Sequence, residues 1–129
     1  MGSSKEILRV IVADDEVQIC TLVRETLGQL GHSVEMCHDG EAVLQKLKEG
    51  ERYGLLILDV LMPHKSGVEV IHDLRGRGEG IPILLMSSFL SEEVLSSCSK
   101  LDRIAFLQKP FSLADLRATV ERLTRPVHC

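Results

Sequence analysis

Leu55-Leu56-Ile57-Leu58-Asp59-Val60-Leu61-Met62-Pro63 is four aliphatic residues in a row, then an acid, then a turn closed by proline. A strand with one wet face alternates apolar with polar residues. A short unbroken apolar run is what a strand buried on both faces looks like, and such strands belong to parallel sheets covered by helices. Ile83-Leu84-Leu85-Met86 repeats the pattern within a run from Ile81 to Met86. Ile7 to Ala13, Ser33 to Cys37 and Ile104 to Leu107 bring the apolar runs to five.

An amphipathic stretch follows each run. Val23, Leu27 and Leu30 fall at i, i+4, i+7, and Leu113, Leu116, Val120 and Leu123 at i, i+3, i+7, i+10, the spacing of helical stripes facing a core. Ser66-Gly67-Val68-Glu69 reads as a capping box, and Ser112 stands where it would cap a helix beginning at Leu113. Gly31, Gly50 and the Gly76/Gly78/Gly80 cluster sit where helices should stop. Strand and helix alternating five times predict one α/β domain, a doubly wound parallel sheet with right-handed crossovers.

The composition is that of a globular domain: 129 residues, 44% hydrophobic, 26% charged, with 15 Lys+Arg against 19 Asp+Glu for a net charge of −4. A chain of this length buries roughly two thirds of its unfolded surface without staples. The acid excess supplies no basic footprint for nucleic acid, and 3% aromatics without Trp leave no base-stacking platform. Cys20, Cys37, Cys98 and Cys129 are scattered without a CxxC pair, which fits reduced thiols rather than disulfides or a zinc site. No apolar run approaches the roughly 20 residues of a membrane span. Residues 1–5 resemble a leader, 6–125 form the domain, 126–129 a short tail, and the expected compartment is the cytoplasm.

Ligands of open parallel sheets bind beyond the carboxyl ends of the strands. There the first run gives way to Asp14-Asp15, the third to Asp59, the fourth to Ser87-Ser88 and the fifth to Lys109-Pro110. Taken singly, Asp14 or Asp15 is equally a helix cap, Asp59 a turn residue, Ser87 a strand-end serine and Lys109 a surface lysine. The conjunction is the signal. Two unit charges 4 Å apart repel by about 4 kcal/mol at an effective dielectric of 20, so gathered carboxylates call for a cation or raised pKa values. Hard oxygen ligands suit Mg²⁺, and a carboxylate can serve as nucleophile toward phosphorus.

Asp14-Asp15, Asp59 within Leu58-Asp59-Val60-Leu61-Met62-Pro63, Ser87 and Lys109-Pro110-Phe111 together resemble the receiver domains of two-component response regulators, over roughly Ile7 to Thr124. That resemblance implies a flavodoxin-like (βα)5 sheet of order 2-1-3-4-5. It implies Asp59 as phosphoacceptor for a phosphohistidine of a sensor histidine kinase or phosphotransfer protein. It further implies Mg²⁺ held by Asp14, Asp15, Asp59 and the backbone carbonyl of Leu61, with Ser87 and Lys109 on the phosphoryl group. A cis Lys109-Pro110 bond and a switch of Ser87 and Phe106 that re-forms the helix 4–strand 5–helix 5 face for a downstream protein or output domain follow in the same way. Such a domain is a signalling switch rather than an enzyme, with no direct contact to nucleic acid or membrane.

The second reading is a small Mg²⁺-dependent phosphohydrolase with Asp59 as covalent nucleophile. Such enzymes want a general acid two residues on, where this chain has Leu61. Asp102-Arg103-Ile104-Ala105 departs from the family, in which many receivers carry acids that pair two copies through this face. Phe106 is also a plain core aromatic, and Met36, Met62 and Met86 read as packing. His64 reads as a solvated loop residue; His32, His38, His72 and His128 lack ligand spacing; Arg75-Gly76-Arg77-Gly78 reads as a flexible polar loop.

Overall fold

The computed structural model describes residues 7–125; the expected leader, the tail and Cys129 lie outside the described residues. Five strands and five helices alternate: β1 (Arg9–Ala13), α1 (Val17–Gly28), β2 (Ser33–Cys37), α2 (Gly40–Lys48), β3 (Leu55–Asp59), α3 (Gly67–Gly76), β4 (Ile83–Ser87), α4 (Glu92–Cys98), β5 (Ile104–Gln108) and α5 (Leu113–Thr124). All neighbours pair in parallel, in the order β2-β1-β3-β4-β5. This is the flavodoxin-like fold that the resemblance implied.

The unbroken aliphatic runs resolve into two interleaved faces. Leu55 and Ile57 join Val10, Val12, Leu84 and Met86 under α1 and α5. Leu56 and Leu58 join Ile11, Ile83 and Leu85 under α2, α3 and α4. Successive side chains of a strand point to opposite faces, so a strand between two helical layers must be apolar at every position. β3 and β4 are buried throughout, whereas β2 and β5, at the sheet edges, are only partly so.

The local start signals operate as expected. Ser66 accepts from the Glu69 N–H while the Glu69 side chain accepts from the Ser66 N–H, closing the capping box on α3. Ser112 caps α5 through the Asp115 N–H at 3.0 Å. Gly31 and Gly50 take the left-handed φ that a side chain resists, at +95° and +85°.

Three expectations change. Leu30 lies beyond the end of α1 and is exposed, and Leu113 is exposed at the first position of α5, so each stripe loses one end. The Arg75-Gly76-Arg77-Gly78 stretch is no flexible loop: Arg75 and Gly76 close α3, and the Arg75 guanidinium donates to the carbonyls of Glu79, Ile81 and Asp102. That one side chain ties the start of β4 to the approach to β5.

Candidate phosphoryl-accepting site

β3 and β4 run one residue further than their aliphatic cores, so Asp59 and Ser87 are the last residues of central strands and are buried with them. Asp14 follows β1 and is 0% exposed. Its carboxylate accepts from the Glu16 N–H at 2.9 Å through Oδ1 and from Lys109 Nζ at 2.7 Å through Oδ2. The first bond settles the capping alternative. Asp14 serves the turn into α1, and the cap position itself is Glu16, whose side chain makes no capping bond.

Lys109 is the one cation among these groups. Its Nζ lies 2.7 Å from Asp14 Oδ2, 3.2 Å from Glu16 Oε1 and 3.5 Å from Asp59 Oδ2, with only 9% of the side chain exposed. The Lys109 N–H donates to the Ser87 carbonyl, and the Lys109–Pro110 peptide is cis. Burial alone would lower the Lys109 ammonium; its bond to Asp14 and the charges of Asp14 and Asp59 outweigh that and raise it.

Carboxylate oxygens of Asp14, Asp15 and Asp59 all lie within 4.8 Å of one another, an all-oxygen set of the kind hard divalent cations take. Lys109 does not fully offset their crowding. Burial, then the charge of Asp14, lift the Asp59 carboxyl from 3.8 to about 6. A cation among these oxygens would remove that penalty, so the residues fit the group that the sequence implied.

Ser87 uses its hydroxyl locally, donating to the Phe89 carbonyl at 2.9 Å and accepting the Phe89 N–H at 3.0 Å. The Phe89 ring is 76% exposed beside the pocket, and Leu61 is 75% exposed on the opposite loop. These two side chains, with Asp59, Ser87 and Lys109, border an open cavity of about 600 Å³. Phe106 sits mid-strand opposite Leu85, half-buried against the layer under α3 and α4. His64 adopts a left-handed φ of 67° and brings Nε2 to 4.0 Å from Asp39 Oδ2, with its side chain mostly exposed.

Several participants gave no sequence signal. His38 Nδ1 and the buried Cys20 thiol both reach the Asp14 carbonyl, each at 3.4 Å, bracing that residue from behind. Gly67 opens α3 so close to β3 that a Cβ there would lie 2.4 Å from the Asp59 carbonyl oxygen. Its place inside the capping box hid this second duty.

Residues 10–121 match the family described as response regulator receiver domain. The chain is a response regulator receiver domain. This receiver is 37% identical over 120 residues to the response regulator MprA of Mycobacterium tuberculosis, covering 92% of this chain and 51% of that protein. MprA of Mycobacterium ulcerans is 35% identical over 120 residues, at 92% and 50%. The receiver therefore spans about half the length of these curated relatives. Among solved structures, the chemotaxis response regulator CheY4 of Vibrio cholerae aligns with a TM-score of 0.81 and 29% identity, over 92% of this chain and 99% of that one. The receiver domain of the Francisella response regulator 1452 aligns at 0.78 and 27%, over 92% and 97%. Receivers are signalling proteins of two-component systems. Among the described residues no helix is long and apolar enough to cross a membrane.

Proposed function

We propose that this receiver is a phosphorylatable switch that takes a phosphoryl group onto Asp59 from a phosphohistidine of a sensor histidine kinase or phosphotransfer protein. The observation carrying this reading is the position of Lys109 Nζ, shared between Asp14 and Asp59 at the floor of an open pocket. An Asp59 oxygen forms the new O–P bond while the donor's N–P bond breaks and its imidazole leaves. Lys109 offsets charge on the incoming phosphoryl oxygens, and the Ser87 hydroxyl is within the same pocket lining to hydrogen-bond one of them. Asp14, Asp15, Asp59 and the Leu61 carbonyl would hold Mg²⁺, which when bound supplies positive charge to carboxylate and phosphoryl oxygens alike.

The Ser87 hydroxyl has one proton, so donating it to a phosphoryl oxygen gives up its bond to the Phe89 carbonyl, and phosphorylation remodels the loop between β4 and α4. Phe106, half-buried one strand away, turns inward as Ser87 moves, and the face formed by α4, β5 and α5 changes for a downstream protein or output domain. Leu61 supports the switch over the phosphohydrolase: an exposed aliphatic side chain has no proton to give a leaving group.

Incubation with acetyl phosphate and Mg²⁺, followed by intact mass measurement, tests the proposal. One alkali-labile phosphoryl group is expected, absent in Asp59→Asn. A stable adduct that survives that substitution defeats it.

A further inference from the structure

β5 closes one edge of the sheet, and its outer side is open. The Arg103 carbonyl accepts from the Ile83 N–H, and the Lys109 N–H donates to the Ser87 carbonyl, both toward β4. Backbone groups of alternate residues in a strand point to opposite sides, so those of Ile104, Phe106 and Gln108 face away from the sheet. Beside this edge lies a groove of about 560 Å³. Its floor is Ile104, Ala105, Phe106 and Leu123, and its rim is Arg103, Arg122 and Arg125.

These arginines are poorly neutralised. Arg122 has no ion pair or hydrogen bond among the described residues. Arg103 donates only to the Gly80 carbonyl, at 3.4 Å. Arg125 reaches Glu121 at 3.9 Å, with both side chains mostly exposed, a contact of little strength. A protein of net charge −4 thus gathers three guanidinium groups around one apolar floor next to unpaired strand backbone.

We propose that this groove receives an acidic, extended segment of a partner protein, which adds to the outer edge of β5. Main-chain bonds to Ile104 and Phe106 supply register, apolar side chains on one face of the added strand cover Ile104 and Phe106, and carboxylates on its other face, beside α5, take the arginines bidentately. A second copy of this chain fits less well, because a two-fold contact brings like guanidinium clusters together. The inference names the partner chemistry of the face through which the switch reports, and to that extent rests on the proposed function.

The test is fluorescence anisotropy with a fluorescein-labelled peptide alternating Glu with Leu, against one in which Lys replaces every Glu. The Glu peptide is expected to bind, with affinity falling as salt rises, and the Lys peptide not to bind. Arg122→Glu/Arg125→Glu is expected to weaken binding at least about tenfold while leaving the circular dichroism spectrum unchanged, since both side chains lie at the rim. Hydrogen exchange at the Ile104 and Phe106 amides is expected to slow in the complex. Equal binding of the two peptides, unaltered affinity in the double variant, or protection confined to other strands overturns the proposal. So does a concentration-dependent dimer that the double variant abolishes, which makes the occupant a second copy. Acetyl phosphate uptake by the double variant is read in parallel; normal uptake with lost peptide binding separates this groove from the phosphoacceptor chemistry, and failed uptake by the parent protein counts only against the latter.

Discussion

Lys109 donates to Asp14 across 95 residues of sequence, through a 2.7 Å bond in which the carboxylate is fully buried. Neither charge has enough water to be stable alone. Lys109→Met should therefore cost about 3 kcal/mol of unfolding free energy, because it strands a buried Asp14 carboxylate. Urea unfolding in EDTA measures this. Added Mg²⁺ should recover part of the loss in Lys109→Met if the acidic residues hold the cation as proposed.

The opposite sign is expected at Asp59. Its charge is crowded by Asp14 and penalised by burial, and Lys109 compensates only in part. Asp59→Asn should raise the stability of the metal-free protein at pH 7 by about 1–2 kcal/mol. In saturating Mg²⁺ the order should reverse, since the parent gains binding energy that the variant has lost. Thermal melts with EDTA and with Mg²⁺ give both comparisons. A destabilised Asp59→Asn in EDTA would show the carboxylate to be favourably placed without a cation.

Gly67 is expected to tolerate no side chain. A Cβ would meet the Asp59 carbonyl oxygen at 2.4 Å and Leu85 Cδ1 at 2.9 Å, and the first contact is with backbone that has little room to move. Gly67→Ala should cost about 2 kcal/mol through overpacking. It should also slow phosphoryl uptake by displacing the end of β3, whereas Gly76→Ala, where nothing lies within 4 Å, should leave uptake as it is. Denaturant unfolding and the time course of the mass shift read the two effects.

A pH effect should arise at β2, the other edge of the sheet from β5. Hydrogen bonds from Lys46, then Tyr53, with Arg9 as a further donor, hold the Glu35 carboxyl below its ordinary value of 4.5. A carboxyl depressed in the folded state binds fewer protons there than in the unfolded chain. Its contribution is complete above about pH 4.5 and is lost as pH falls through the lower folded value. The group is partly solvated, so the effect should stay near or below about 1 kcal/mol. Glu35→Gln should lower stability by that amount at pH 7, flatten the acid side of the profile and converge with the parent below the folded value, as followed by urea midpoints.

The sheet was legible because β3 and β4 are buried on both faces, and only a doubly covered strand needs Leu55 through Leu58 without a polar break. Helix caps are local, so Ser66, in its capping box, and Ser112, as a simple N-cap, declared their helices directly. The positions of Asp14, Asp59 and Lys109 followed from strand ends. What they touch did not: the Lys109–Asp14 bond and the contact of His38 with the Asp14 carbonyl join elements distant in sequence, and the Cys20 thiol reaches that carbonyl only once α1 has turned back beneath it. Arg75 misled for the same reason. The glycines that follow it make the stretch look like a loop, while its actual partners are carbonyls near β4 and β5. Leu30 kept helical spacing past Gly28, where the helix had already ended.

The interleaving of Leu55 and Ile57 with Leu56 and Leu58 divides the interior into two compartments that share a wall of backbone but few side-chain contacts. Mutations within one compartment should interact, and mutations placed one in each should add. Val12→Ala with Ile57→Ala should depart from additivity, whereas Ile57→Ala with Leu58→Ala should come closer to it despite adjacency in the chain. Neighbours in sequence would then be thermodynamic strangers, and the layer beneath α1 and α5 would be free to change its packing without rewriting the one beneath α2, α3 and α4.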